Sequence, residues 1–133
     1  MYQFSLSGKN ILVVEDEYYQ ARGLAETLFQ HGAKVVGPFA VTSECVHLCS
    51  RSLIDAAVLD VMMGKTNSFS LADLLSREQV PFIFLTGYER AIIPTRLRNV
   101  PHYLKPFVGQ DVPTAVALAI VSGRCDPTQR PAR

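Results

Sequence analysis

The chain has no tryptophan and only three cysteines, Cys45, Cys49 and Cys125. An odd number of thiols is a poor basis for a disulfide framework, so a hydrophobic core must hold the fold. An excess of charge of one sign is also missing. Thirteen basic residues face 12 acidic ones for a net charge of +1, which supplies no global field to attract a nucleic acid or an anionic membrane. No apolar run approaches the roughly 18 residues of a membrane span. The opening MYQFSLSGKN has neither the basic start nor the apolar stretch of a signal peptide. These absences set the expectation of a cytoplasmic protein with neither nucleic acid nor membrane as partner. What is present, 133 residues at 48% hydrophobic and 19% charged, suits one globular domain with its own core.

Short apolar runs alternate with helical patterns. NILVV (10–14), AKVVG (33–37), DAAVLD (55–60), PFIFLT (81–86) and PHYLK (101–105) read as strands that begin about 20 to 26 residues apart, the pace of βα units. After the first strand, Ala21, Leu24, Ala25, Leu28 and Phe29 fit the buried face of a helix closed by Gly32. A second helix is expected to start near Thr42 or Ser43, and a third near Ser70 and Asp73, which have capping-box spacing. A fourth, in RAIIPTRLRN, should be shortened or displaced by Pro94. The fifth, GQDVPTAVALAIVS, carries Pro113 near its first turn. Cys45, His47 and Cys49 invite a metal reading, but Cys45, Leu48 and Cys49 at i, i+3 and i+4 read better as core positions.

Apolar strands joined by helices make a parallel sheet covered on both faces, and right-handed crossovers leave a five-stranded doubly wound (βα)5 sheet as the natural topology. Residues 1–122 form that domain on this reading. Residues 123–133, GRCDPTQRPAR, lack apolar periodicity and read as a frayed tail with no output domain behind it.

In such sheets ligands bind beyond the carboxyl ends of the strands. Glu15 and Asp16 follow the first strand, Asp60 ends the third, Thr86 the fourth and Lys105 the fifth, so all five gather on one rim. Each alone has a plain structural explanation: helix-favouring acids, a turn residue, a cap, a solvated lysine. Together they are harder to dismiss. Three clustered carboxylates repel one another and call for a cation. An all-oxygen donor set suits Mg²⁺, while a lysine and a hydroxyl suit phosphoryl oxygens, and the remaining carboxylate suits a nucleophile. Asp60, alone on the middle strand, fits that last role.

The ordered segments VVEDE, LDVMM, FLTG and YLKPF resemble those of a receiver domain of a two-component response regulator, over about residues 8–122. The resemblance implies a flavodoxin-like sheet of order 2-1-3-4-5, of which a receiver is itself a standard example. It also implies that Glu15, Asp16, Asp60 and the backbone carbonyl of Met62 hold Mg²⁺. Asp60 then accepts a phosphoryl group from the phosphohistidine of a histidine kinase or histidine phosphotransfer protein, Thr86 and Lys105 bind that group, and Tyr103 changes rotamer as the signal. A cis peptide at Lys105-Pro106 is implied as well. Where receivers commonly carry proline and then glycine after the acceptor, this chain has Gly64 and Ser68. That loop, with FLTGY and a short fourth helix, is similar to a subgroup of stand-alone receivers, although Tyr103 stands where that subgroup has an aliphatic residue.

Other readings fare less well. A dehalogenase-type phosphatase needs a second aspartate where Met62 stands. A flavodoxin-like FMN binder would need phosphate-cradling hydroxyls in place of EDEYYQ. A phosphorylation-independent interaction module would keep the fold without needing all five site residues. The expectation is therefore a single-domain signalling protein rather than an enzyme. Leu118 and Val121, on a fifth helix apolar nearly all round, offer a surface for a downstream protein or a second copy.

Overall fold

The computed structural model describes residues 6–87, 92–105 and 111–122. Its elements are β1 (Asn10–Val14), α1 (Tyr18–Gln30), β2 (Lys34–Phe39), β3 (Ala56–Asp60), β4 (Met62–Met63), β5 (Thr66–Asn67), α2 (Phe69–Arg77), β6 (Phe82–Thr86), β7 (His102–Leu104) and α3 (Asp111–Ser122). Five strands form one parallel sheet in the order β2-β1-β3-β6-β7, while β4 and β5 make a separate two-stranded hairpin. With that hairpin set aside, the order is the expected 2-1-3-4-5.

The central strands β3 and β6 are buried along their whole length, as a sheet covered on both faces requires. Alternate residues feed two cores. Leu12, Val14, Leu59, Phe82 and Phe84 pack with Leu71 and Leu75 of α2. Ile11, Val13, Val58, Ile83 and Leu85 pack with Leu24 and Leu28 of α1 and with Val112 and Val116 of α3. The period of two along each strand thus divides one apolar run between two layers.

Several local expectations are corrected. Between β2 and β3 there is no α-helix but two 3-10 turns, Thr42–Glu44 and Val46–Leu48. The stretch VTSECVHLCS is dominated by β-branched residues, serines and cysteines, all poor helix formers. Cys45 and Cys49 nevertheless point into the core, at 0% and 4% exposure. Helix α2 begins at Phe69 with Ser68 at its N-cap, so Ser70 lies inside the first turn. Asp73 makes no capping box and instead pairs with Arg96 at 2.9 Å. Pro94 precedes a 3-10 turn, Thr95–Leu97, and the described residues 92–100 contain no α-helix, where a fourth helix shortened or displaced by Pro94 is expected. Phe29 is 70% exposed, because at 100° per residue it is turned about 80° from Ala21, whereas Leu28 is turned only about 20°. On α3, Ala117 is buried, while Leu118 and Val121 are exposed. Strand β2 runs on to Phe39 through a register shift opposite Leu12 and Val14 and a cis Gly37-Pro38 bond. Its place at the sheet edge tolerates a proline. Gly37 has φ +107°, and a Cβ there would come within 2.9 Å of the Val13 carbonyl.

The Lys105-Pro106 bond and residues 123–133 fall outside the described residues. Among the described residues no helix is long and apolar enough to cross a membrane.

Candidate functional site

The register of the sheet brings the polar strand ends together. Val14 pairs with Leu59, Asp60 with Leu85, and Thr86 with Leu104, so the residues at and just past these positions share one rim. The three consecutive acids after β1 divide their work. Glu15 is buried at 3% exposure; its Oε2 accepts from the Glu17 N–H at 3.0 Å and its Oε1 from Lys105 Nζ at 2.7 Å. Asp16 is exposed on the rim. Glu17 is the N-cap of α1, where its side chain accepts from the Gln20 N–H at 2.8 Å. One acid is therefore structural and two belong to the site.

Asp60 is 7% exposed and its Oδ2 lies 3.1 Å from Lys105 Nζ. Carboxylate oxygens of Glu15, Asp16 and Asp60 all lie within 4.8 Å of one another. Thr86 is fully buried, and its carbonyl accepts from the Lys105 N–H at 2.8 Å, which ties the end of β6 to the residue that carries the amine. Tyr103 stands opposite Leu85 in the register and is 37% exposed. The Met62 side chain packs against the core, so its backbone is what it offers the rim.

The electrostatics follow from this packing. Burial, together with the charge of Glu15 and a hydrogen bond to it, pushes the Asp60 carboxyl up to about 6, with Lys105 pulling the other way. For Lys105, burial alone would lower the pKa, but the bond to Glu15 and the charges of Asp60 and Glu15 outweigh it and raise the pKa. The amine therefore remains an ammonium. Two carboxylates within 4.8 Å of each other repel by at least about 3 kcal/mol at an effective dielectric near 20. Three carboxylates against one ammonium leave a net charge of −2. That excess, with an all-oxygen donor set and one open side at Asp16, fits a hard divalent cation such as Mg²⁺.

The hairpin has no counterpart among the strands read from the sequence. It follows Asp60 directly: the Val61 N–H donates to the Leu85 carbonyl at 2.9 Å, and the Ser68 N–H closes its base on the Val61 carbonyl at 3.0 Å. At its tip Gly64 has φ +67°, and a Cβ there would lie 3.5 Å from Asp16 Oδ2. The turn chemistry of Gly64, Thr66 and Asn67 is the signal that could have found it. Cys45 and Cys49 lie in the core while His47 is exposed, so that trio does not converge on a site.

A parallel five-stranded sheet with acids, a hydroxyl and a lysine on its carboxyl rim defines a receiver. The family model for the response regulator receiver domain matches residues 11–108, and the chain belongs to that family. Among curated proteins it is 31% identical over 114 residues to the sensory transduction protein LytR of Streptococcus agalactiae, covering 80% of this chain and 46% of that protein. It is 30% identical over 115 residues to the phyllosphere-induced regulator PhyR of Methylorubrum extorquens, covering 83% of this chain and 43% of that protein. The chain thus spans less than half the length of these two relatives. Among solved structures, the signal receiver domain of a modulated diguanylate cyclase from Desulfovibrio desulfuricans G20 superposes with a TM-score of 0.76 at 25% identity, covering 88% of this chain and 97% of that one.

Proposed function

We propose that this receiver is a Mg²⁺-dependent phosphoacceptor that takes a phosphoryl group onto Asp60 and signals through protein contacts. The observation that carries the reading is the placement of Asp60 Oδ2, 3.1 Å from the Lys105 ammonium and inside a cluster of three carboxylates. Burial of Asp60 strips water from the nucleophile, and Lys105 neutralises part of the charge that would repel an incoming phosphoryl group.

On this reading the donor is a phosphohistidine of a histidine kinase or histidine phosphotransfer protein, which places the chain in the cytoplasm. An Asp60 carboxylate oxygen forms the new O–P bond as the P–N bond to the donor imidazole breaks, and the departing imidazole nitrogen keeps the electron pair. Lys105 binds one phosphoryl oxygen and the Thr86 hydroxyl another. Asp16, Asp60 and the Met62 carbonyl would hold Mg²⁺, with Glu15 alongside. When bound, the ion offsets the charge of the carboxylates and of the phosphoryl oxygens. Thr86 and Tyr103 lie on neighbouring paired strands, one place apart in the register, so a movement of Thr86 toward the phosphoryl group has a short route to Tyr103. The exposed Leu118 and Val121 of α3 are the proposed surface for a downstream protein or a second copy.

Incubation with Mg²⁺ and phosphoramidate or acetyl phosphate, followed by intact mass, tests the reading. The expected result is one acid-stable, hydroxylamine-labile phosphoryl group on the wild type and none on Asp60→Asn. A normal yield from Asp60→Asn, or no gain by the wild type, would overturn it.

A further inference from the structure

Ser68 has a buried hydroxyl that no group among the described residues satisfies. The residue is 0% exposed, and its Oγ is, among the described residues, the buried side-chain polar atom without a hydrogen-bond partner. Its backbone is fully engaged: the N–H donates to the Val61 carbonyl at 3.0 Å and the carbonyl accepts from the Ala72 N–H at 2.9 Å. A serine at an N-cap ordinarily adopts extended backbone and turns its oxygen onto an amide of the first helical turn. Ser68 instead has φ −99° and ψ 14°, and makes no side-chain cap bond. The hydroxyl therefore does not do the work for which serine is usually found at this position. An unsatisfied buried hydroxyl destabilises the state that contains it, and alanine would fill nearly the same space without that cost.

Its place in the fold says what it is coupled to. Through its N–H, Ser68 is bonded to Val61, the residue after Asp60; through the Val61 N–H, the same short chain reaches Leu85, the residue before Thr86. Ser68 is also the base of the Met62–Asn67 hairpin whose tip, Gly64, abuts the carboxylate of Asp16. Two backbone hydrogen bonds thus connect it to the neighbours of Asp60 and of Thr86, and the hairpin connects it to a rim carboxylate.

We infer that Ser68 is a positioning residue of the phosphorylation switch, whose hydroxyl gains a hydrogen-bond partner in the Val61–Asn67 segment when that segment adjusts to a phosphoryl group on Asp60. The resting state carries an unsatisfied hydroxyl and the phosphorylated state does not, so the residue biases the equilibrium toward the phosphorylated arrangement. This rests on the reading of Asp60 as the phosphoacceptor.

The test compares wild type, Ser68→Ala and Ser68→Cys by thermal unfolding without additions, with Mg²⁺, and with Mg²⁺ plus beryllofluoride, a stable stand-in for the phosphoryl group; intact mass after phosphoramidate runs in parallel. Ser68→Ala should melt roughly 2–6 °C above wild type in the resting state, and its further rise with beryllofluoride should be smaller than the wild-type rise by a similar amount. Ser68→Cys, a weaker donor of similar shape, should fall between the two. The Mg²⁺ affinity of all three should agree within about twofold. A resting Ser68→Ala that melts below wild type would mean the hydroxyl is already satisfied, and equal rises with beryllofluoride would mean it plays no part in the switch; either overturns the inference. A larger loss of Mg²⁺ affinity also overturns it, by making Ser68 a support of the metal site. If the wild type itself takes no phosphoryl group, the failure lies with the Asp60 reading, and the mass measurement shows it.

Discussion

The ammonium of Lys105 sits closer to Glu15, at 2.7 Å, than to Asp60, at 3.1 Å. Glu15 is thereby committed on both oxygens, one to Lys105 and the other to the Glu17 N–H. The amine bridges the two buried carboxylates and offsets part of the repulsion between them. The exposed Asp16 completes the cluster from the solvent side, which gives the site a fixed inner wall and an open outer one.

Removing that bridge should be costly in two ways. Lys105→Met leaves Glu15 and Asp60 buried without a counter-charge, and breaking a buried pair by deleting one partner typically costs about 3–5 kcal/mol. The side chain of Lys105 keeps some contact with solvent, at 15% exposure, so a loss of about 1–3 kcal/mol in urea denaturation is expected. Phosphoryl uptake should fall along with it. An unchanged denaturation midpoint would show that the bridge holds nothing.

The raised pKa of Asp60 makes a prediction about pH. Its carboxyl titrates at about 6 in the fold against 3.8 in an unperturbed aspartate, so between those values the folded state binds more protons than the unfolded one. Stability is therefore highest, as far as this group is concerned, below about pH 4, and it is lost as pH rises through the folded value of about 6. The size of the shift corresponds to about 1–3 kcal/mol. In metal-free protein, Asp60→Asn should remove this part of the pH dependence and raise stability at about pH 7 by a similar amount. Parallel stability curves for mutant and wild type between about pH 4 and pH 7.5 would count against the assignment.

The outer wall is tested by metal. A ligand bound only by the folded state adds RT ln(1 + [L]/Kd), about 1.4 kcal/mol at roughly ten times Kd. Mg²⁺ should accordingly raise the melting temperature of the wild type. Asp16→Asn should lose most of that rise while the metal-free mutant melts slightly higher, since one of three like charges is gone. An equal response to Mg²⁺ in both would remove Asp16 from the set of ligands.

The rim was legible in the sequence because four of the strands pass from an apolar residue to a polar one at their carboxyl ends, and a parallel sheet aligns such stops. Val14–Glu15, Leu59–Asp60, Leu85–Thr86 and Leu104–Lys105 are all boundaries of this kind. The ion pair between Glu15 and Lys105 joins residues 90 apart, and only the topology brings them together. Local pattern misled where few residues carried it. The spacing of Cys45, Leu48 and Cys49 correctly marked residues that meet the core, but the backbone there forms two separate 3-10 turns rather than a helix. Two-residue strands such as β4 and β5 are too short for any alternation to show, so the hairpin that abuts Asp16 was visible only as turn-forming residues. The wide apolar surface of α3 likewise concealed that Ala117 faces inward, because alanine fits either environment.

Where the signal leaves the protein can be tested on that same helix. Val112, Ala115, Val116, Ala117 and Ala119 are buried in the core that α3 shares with the sheet and α1, whereas Leu118 and Val121 stand 46% and 61% exposed. Leu104, on the edge strand, is 64% exposed. Exposed apolar side chains taken singly are ordinary, but two on one outer helix face supply the apolar centre that a protein contact requires. Leu118→Glu places a charge there without entering the core, so folding, Mg²⁺ binding and phosphoryl uptake at Asp60 should stay within experimental error of wild type. Association that depends on phosphorylation should weaken by at least about tenfold, since burying an unpaired carboxylate costs more than the leucine contributed. Sedimentation of the phosphorylated protein and capture of its binding partner are the two measurements. If neither changes, the output surface lies on another face of the domain.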